Sequence, residues 1–269
     1  MKPNTLAIVI STLIFSLIFA SCGGAPSSAA FAAEAQPAQA AAAATEPPAP
    51  APTEAPAPIP CTIAFDSDRD GNREVYTMGP DGSDLVNLSK DPGDDFEPAW
   101  APDGTQIAFV SNRANETEGG QYIYVANADG SALHRLTEEN SSRMPDWSPD
   151  GKRIAYSANG DIYVIAADGS SPSVNLTNSP EEDVNPGWSP DSSRIAWMSG
   201  SEGGWNIFVM DGSGGTRQKL TDDGKVSDVQ WSVDGQLFTH WDNQEAGCFN
   251  CVMDADGKNI KDAGGKGEI

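Results

Sequence analysis

From residue 61 onward, short apolar or aromatic runs alternate with Asp-Gly and Pro-Asp turns, and they do so in a fixed order that repeats. The repeat opens with FEPAWAPDG at 96–104 and returns as MPDWSPDG at 144–151, NPGWSPDS at 185–192 and SDVQWSVDG at 227–235. Its tryptophans, Trp100, Trp147, Trp188 and Trp231, are spaced by 47, 41 and 43 residues, a period that belongs to a propeller blade rather than to a helical solenoid. An Ile-Ala-aromatic triplet follows (107–109, 154–156, 195–197), then a polar loop, an aromatic run such as 122–125 or 206–209, an Asp-Gly turn and a Leu-Thr pair. Four short runs joined by such turns predict an antiparallel four-stranded meander, because glycine accepts the positive φ of hairpin turns without steric cost. A lone meander cannot bury both faces, so the copies must stack around an axis.

An incomplete copy precedes the first tryptophan. Residues 61–65 match the Ile-Ala-aromatic strand, 74–76 the third strand, Asp81-Gly82 the turn and Leu88-Ser89 the last strand. The expected fold is therefore all-β, a propeller of about five four-stranded antiparallel blades, labelled a to d from the inside outward, the first blade lacking an obvious strand a. The tail at 261–269 carries no aromatic anchor to supply that strand, so an imperfect seam is expected between the first and last blades.

The order WSPDG, IAF, SDRDGN, EVY, DG, LT resembles the WD-like repeats of TolB-type propellers over about residues 61–260. The resemblance implies a rigid ring, usually of six blades where this chain counts five. Such rings occur as partner-binding domains, as accessory domains of peptidases and as envelope proteins, so the fold alone does not fix a function.

The first residues read as an address. Lys2 precedes a 15-residue apolar run at 6–20, too short for a bilayer span, and residues 19–22, FASC, resemble a bacterial lipobox. Residues 1–21 are read as a lipoprotein signal peptide and Cys22 as the lipidated first residue of the mature chain. Residues 22–60 then carry nine prolines among alanines, a composition that favours extended polyproline geometry at roughly 3.1 Å per residue and makes a stalk. The expected location is the bacterial cell envelope outside the cytoplasm, lipid-anchored, with the propeller at 61–269.

Charge narrows the partners. The full chain has a formal net charge of −23, which repels nucleic acid and anionic membranes. Part of the acid belongs to turns: Asp103, Asp150, Asp191 and Asp234 between strands a and b, and Asp81, Asp129, Asp168 and Asp256 between c and d. The b-to-c and d-to-a loops vary from copy to copy and converge on the opposite face, where specificity can be placed without disturbing the core. Asp94, Asp95, Glu181, Glu182, Asp183, Asp222 and Asp223 are assigned to those d-to-a loops, as a rim for a basic protein surface, a cationic ligand or a metal ion; a solvated acidic surface that only keeps the protein soluble is the alternative.

Two further groups carry candidate chemistry. Asp66, Asp68 and Asp70 with Gly71 spell the opening of a calcium loop, but the twelfth position is Thr77 rather than a bidentate Glu, so calcium stands beside a plain b-to-c hairpin. No other cofactor is expected. Among the cysteines, Cys61 can bridge to Cys248 or Cys251 and clamp the seam, Cys248 and Cys251 can bridge locally in a bulged strand, or the thiols stay free. Redox and zinc uses of the pair lack a helix N-terminus and enough histidines. No GxSxG elbow occurs, so the expected function is a non-catalytic, tethered module that binds an envelope protein or other ligand. A glycosidase-like propeller using acids such as Asp95 and Asp183, and a purely structural surface lipoprotein, are the alternatives.

Overall fold

A computed structural model of the chain describes residues 62–113, 120–201, 203–243 and 248–263. The described residues are all-β and form five antiparallel sheets in chain order. The first sheet holds β1 (Ile63–Ser67), β2 (Glu74–Met78) and β3 (Val86–Asn87), and the second β4 (Asp95–Trp100), β5 (Gln106–Ser111), β6 (Tyr122–Asn127) and β7 (His134–Arg135). The third holds β8 (Arg143–Trp147), β9 (Arg153–Ala158), β10 (Asp161–Ala166) and β11 (Val174–Asn175). The fourth comprises β12 (Glu182–Trp188), β13 (Arg194–Ser201), β14 (Gly204–Asp211) and β15 (Gln218–Lys219), and the fifth β16 (Val226–Trp231), β17 (Leu237–Asn243), β18 (Cys248–Met253) and β19 (Lys261–Asp262).

Each tryptophan sits opposite the first residue of the following triplet: Trp100 faces Ile107, Trp147 faces Ile154, Trp188 faces Ile195 and Trp231 faces Leu237. The turn between them is held by its aspartate. Ser148 and Ser189 hydroxyls donate to Asp150 and Asp191 at 2.6 Å, and the carboxylates accept backbone N–H groups two residues on. These bonds hold the Asp150 carboxyl below its ordinary value and take that of Asp191 to about 2. The eight repeated turn aspartates are thus turn chemistry, as the sequence suggested.

The Leu-Thr pair has an equally local cause. Leu88, Leu136, Leu176 and Leu220 donate their N–H to the carbonyls of Val75, Ile123, Ile162 and Ile207 at 2.8 Å. The next hydroxyl, on Ser89, Thr137, Thr177 or Thr221, accepts the N–H of that same third-strand residue at 2.9–3.0 Å. The outer strand needs only two residues of ladder because this clasp completes it, at about 1 kcal/mol per bond.

The cores lie between sheets. One cluster joins Ala64, Val75 and Leu88 to Ile107, Phe109 and Tyr124; the next joins Ile123 and Val125 to Trp147, Ile154 and Tyr156. Others join Ala155 and Val164 to Trp188 and Ile195, and Met198 and Ile207 to Val229, Trp231 and Leu237. Each sheet therefore buries its faces only against its neighbours. Among the described residues the fifth sheet does not pack on the first beyond marginal contact.

Candidate functional site at the inner strands and the acidic loop face

The innermost strands are bent by the sequence itself. Pairing to the second strand slips between Phe96 and Ala99, between Arg143 and Asp146 and between Val184 and Gly187. At each slip a residue before proline, Glu97, Met144 or Asn185, has φ of 54°, 53° and 56°. Proline pushes its predecessor toward extended backbone, and residues with a Cβ seldom adopt positive φ. A conformation that costs on the order of 1 kcal/mol or more persists only where neighbours over-determine it.

Here the neighbours are carboxylates of adjacent blades. Glu97 N–H donates to Asp66 Oδ1 at 3.3 Å, and Met144 N–H to Glu97 Oε2 at 2.7 Å. Trp188 N–H donates to Asp146 Oδ2 at 2.7 Å, and the Asn185 side-chain amide to Asp228 Oδ1 at 2.7 Å. Carboxylates thus lace each inner strand to the adjacent sheet. A cavity of about 330 Å³ opens between these strands, with Glu97, Met144, Asp146, Asn185 and Gln230 in its wall. The indole N–H groups of Trp100, Trp147 and Trp188 are buried without an acceptor in the protein, whereas that of Trp231 donates to the Gly187 carbonyl at 3.0 Å. Burial pushes the Asp146 carboxyl up to about 7, only partly offset by the Trp188 N–H.

The b-to-c and d-to-a loops meet at one end of the strands. Asp95 N–H donates to the Arg73 carbonyl, Ser142 N–H to that of Gln121, Asp183 N–H to that of Gly160 and Trp205 N–H to that of Gly224, at 2.8–3.0 Å. Gly204 is required at the last junction, since its φ is +124° and a Cβ would lie 2.1 Å from the Gly224 carbonyl oxygen.

Two of the acids assigned to this rim are not on it. Asp95 opens strand β4 and Asp183 is the second residue of β12, and they are 0% and 1% exposed. Asp95 pairs with Arg113 at 2.7 Å, and burial raises its carboxyl against the pull of Ser111 and Arg113. Asp183 accepts the Trp197 indole N–H at 3.0 Å. β4 begins one residue, and β12 two residues, earlier than a loop reading allows, which buries both side chains. A repeated Asp-x-x-Pro at 95–98 and 183–186, with Ser142 three residues before Pro145, was the available signal.

The other predicted acids do face outward. Glu181, Glu182, Asp222 and Asp223 are exposed and Asp94 is half-buried. Ser179 holds the Glu181 carboxyl below its usual range. The arginines nearby are tied to other acids: Arg73 to Asp66 at 2.7 Å, Arg143 to Glu97 at 2.9 Å and Arg135 to Glu138 at 2.9 Å.

Asp66, Asp68 and Asp70 are not brought together. Asp66 pairs with Arg73, Asp70 accepts the Tyr76 hydroxyl at 2.5 Å and Asp68 is exposed. That bond pushes the Tyr76 hydroxyl up to about 12. Among the described residues no three metal-binding side chains converge.

Cys248 and Cys251 form a disulfide with Cα atoms 5.6 Å apart, the local bridge that the sequence left open beside a clamp to Cys61 and free thiols. The β17–β18 register slips between His240 and Asn243, so the pair sits beside an irregular stretch of ladder and its side chains meet where a regular strand would part them. Cys61, the expected lipidation site Cys22 and the expected stalk lie outside the described residues.

Sequence reasoning missed the polar residue at or near the start of the third strand. Glu74, Asp161 and Asn206 each fix the start of a d-to-a loop: Glu74 accepts from the Ser89 hydroxyl and the Asp91 N–H, Asp161 from the Thr177 hydroxyl and the Ser179 N–H, and Asn206 from the Thr221 hydroxyl and the Gly224 N–H. Their shared place before a Val-Tyr, Ile-Tyr or Ile-Phe pair was the readable signal.

Stacked meanders, laced inner strands and a separate loop face define a β-propeller scaffold. The chain belongs to the TolB β-propeller family, whose model matches residues 45–161 and 144–262. It is 32% identical over 159 residues to a TolB homolog of Chlorobium luteolum, covering 58% of this chain and 35% of that protein. It is 33% identical over 119 residues to the Tol-Pal system protein TolB of Anaeromyxobacter dehalogenans, covering 43% and 26%. The chain thus spans about a third or less of these relatives' length. A solved putative TolB from Agrobacterium tumefaciens superposes with TM-score 0.60 at 21% identity, covering 70% of this chain and 72% of that one. A puromycin hydrolase shares the fold at TM-score 0.55 and 14% identity, covering 75% and 37%.

Proposed function

We propose that this chain is a non-catalytic propeller, tethered through Cys22 in the bacterial envelope, that binds a basic protein surface or other cationic ligand on its acidic loop face. The carrying observation is the pairing pattern on that face. Arg73, Arg113 and Arg143 are bound to Asp66, Asp95 and Glu97, while Glu181, Glu182 and Asp222 stay exposed. Lys90 and Lys225 are exposed on the same loops, and the acidic excess over them attracts the opposite charge. Relatives named as Tol-Pal system proteins support an envelope partner. The glycosidase alternative used Asp95 and Asp183, and their burial between blades takes away its carboxylate pair.

The test is crosslinking capture from cell envelopes with the full chain and with Glu181→Gln/Glu182→Gln/Asp222→Asn. A partner held by the parent and lost by the variant supports the reading. Equal capture by both moves the site elsewhere, and turnover of a glycan or peptide panel sinks the non-catalytic claim.

A further inference from the structure

The second strands of three consecutive blades, β5, β9 and β13, open with Gln106, Arg153 and Arg194. The two arginines are used alike. The Arg153 guanidinium carbon lies 4.2 Å from the centre of the Trp188 ring on the next blade, and Nη1 and Nη2 donate to the Gly212 and Ser192 carbonyls at 2.8 and 2.9 Å. Arg194 repeats this one blade further on, 5.2 Å from the Trp231 ring centre, with Nη1 donating to the Ala255 carbonyl at 3.4 Å. A flat cation between an indole face and carbonyl oxygens is held by the ring quadrupole and by charge-assisted hydrogen bonds together.

At the junction of the second and third blades the receiving side is kept and the arginine is not. Trp147 is buried as Trp188 is. Gly151 follows it by four residues, as Ser192 follows Trp188, and each donates its N–H back to a serine carbonyl, of Ser148 or Ser189, at 2.8 Å. Ala167 follows the ladder partner of Arg153 as Gly212 follows that of Arg194, which puts the Ala167 carbonyl at the place of the Gly212 carbonyl. Gln106 brings a shorter, uncharged side chain to this junction, and a cavity of about 360 Å³ opens beside it with Trp147, Gly151, Asp103 and Asp150 in its wall.

We propose that this cavity binds the guanidinium group of an arginine, free or carried on a peptide, seated on Trp147 as Arg153 is seated on Trp188. The carboxylates in its wall favour a cation. Asp103 holds its turn through Oδ1, which accepts from the Thr105 N–H and hydroxyl, and Asp150 does so through Oδ1, which accepts from the Ser148 hydroxyl and the Lys152 N–H. In both, Oδ2 stands outside those turn bonds. Lys152, exposed two residues from Asp150, offsets part of this charge. A lysine ammonium matches the place less well, being a compact point charge that cannot lie flat on an indole while forking to two carbonyls. The cavity lies among the a-to-b turns, at the other end of the strands from Glu181 and Asp222, so this inference does not depend on what the loop face binds.

The test titrates the full chain with acetyl-arginine amide and acetyl-lysine amide at fixed ionic strength, read from the indole N–H resonance of Trp147, assigned with Trp147→Phe. The arginine derivative is expected to move that resonance saturably and to bind at least about ten-fold tighter than the lysine derivative. No saturable shift, or equal affinity for the two, overturns the site, the second result leaving only general attraction of a cation to an acidic chain. Gln106→Arg supplies the guanidinium from within the chain and is expected to weaken binding of the arginine derivative at least about ten-fold; a variant that binds as the parent does overturns the site. The arginine-to-lysine comparison on the parent chain stands without any variant. Free L-arginine binding more tightly than the capped form identifies the amino acid as the source, and the capped form binding as well or better identifies a side chain presented by a peptide; both uphold the site.

Discussion

Replacing Asp146 by Asn should change how stability depends on pH. Its carboxyl titrates at about 7 in the folded chain against 3.8 ordinarily, because burial in the cavity wall disfavours the charge. Between those values the native state holds a proton that the unfolded chain has released, so stability falls as pH rises through the window and levels off above pH 7. At about 1.4 kcal/mol per pH unit the interval sets a ceiling of roughly 4 kcal/mol, and residual solvation of the half-buried residue reduces it to about 2 to 3 kcal/mol. Asn can still present an oxygen to the Trp188 N–H, so the inter-blade bond survives. The assay is urea unfolding of parent and Asp146→Asn from pH 5 to pH 8. The variant should gain on the parent by about 1 to 2 kcal/mol across that range, which covers roughly two-thirds of the window, and the difference cancels titrations common to both chains, the raised Asp95 among them. Parallel profiles, within about 0.5 kcal/mol, would refute the claim that Asp146 is held neutral.

Thr137→Val should cost about 1 to 2 kcal/mol in denaturant unfolding, because it strands the buried Ile123 N–H that Thr137 accepts at 3.0 Å. Gly204→Ala should cost more than about 1 kcal/mol, since a Cβ there meets the Gly224 carbonyl in a positive-φ backbone; a neutral result would show that the loop junction can open. Reducing the Cys248–Cys251 disulfide should lower stability by only about 2 kcal/mol, the entropy of so short a loop, leaving far-UV circular dichroism unchanged. Acid titration should show stability lost as pH falls below about 4, where Asp81, Asp129, Asp150, Asp168, Asp191 and Asp256, whose folded values are depressed, take up protons.

The sequence alone determined the blades. Trp100, Ile107 and the Leu136-Thr137 pair recur because each acts within one meander through contacts a few residues to a few turns apart, and local contacts leave a period in the chain. The turn aspartates were legible for the same reason. What only the tertiary structure decided lies between blades. Asp95 and Asp183 looked like loop acids until the inner strand's starting point turned them between sheets, where Arg113 and the Trp197 indole answer them. The Cys248–Cys251 bond depended on a slip in pairing that no residue type announces. Glu97, Met144 and Asn185 differ in every chemical property, yet share one backbone conformation, against the bias of the proline that follows each, because each meets a neighbouring blade. Burial, charge pairing and protonation are set by what an adjacent sheet presents, and that is a property of packing rather than of order along the chain.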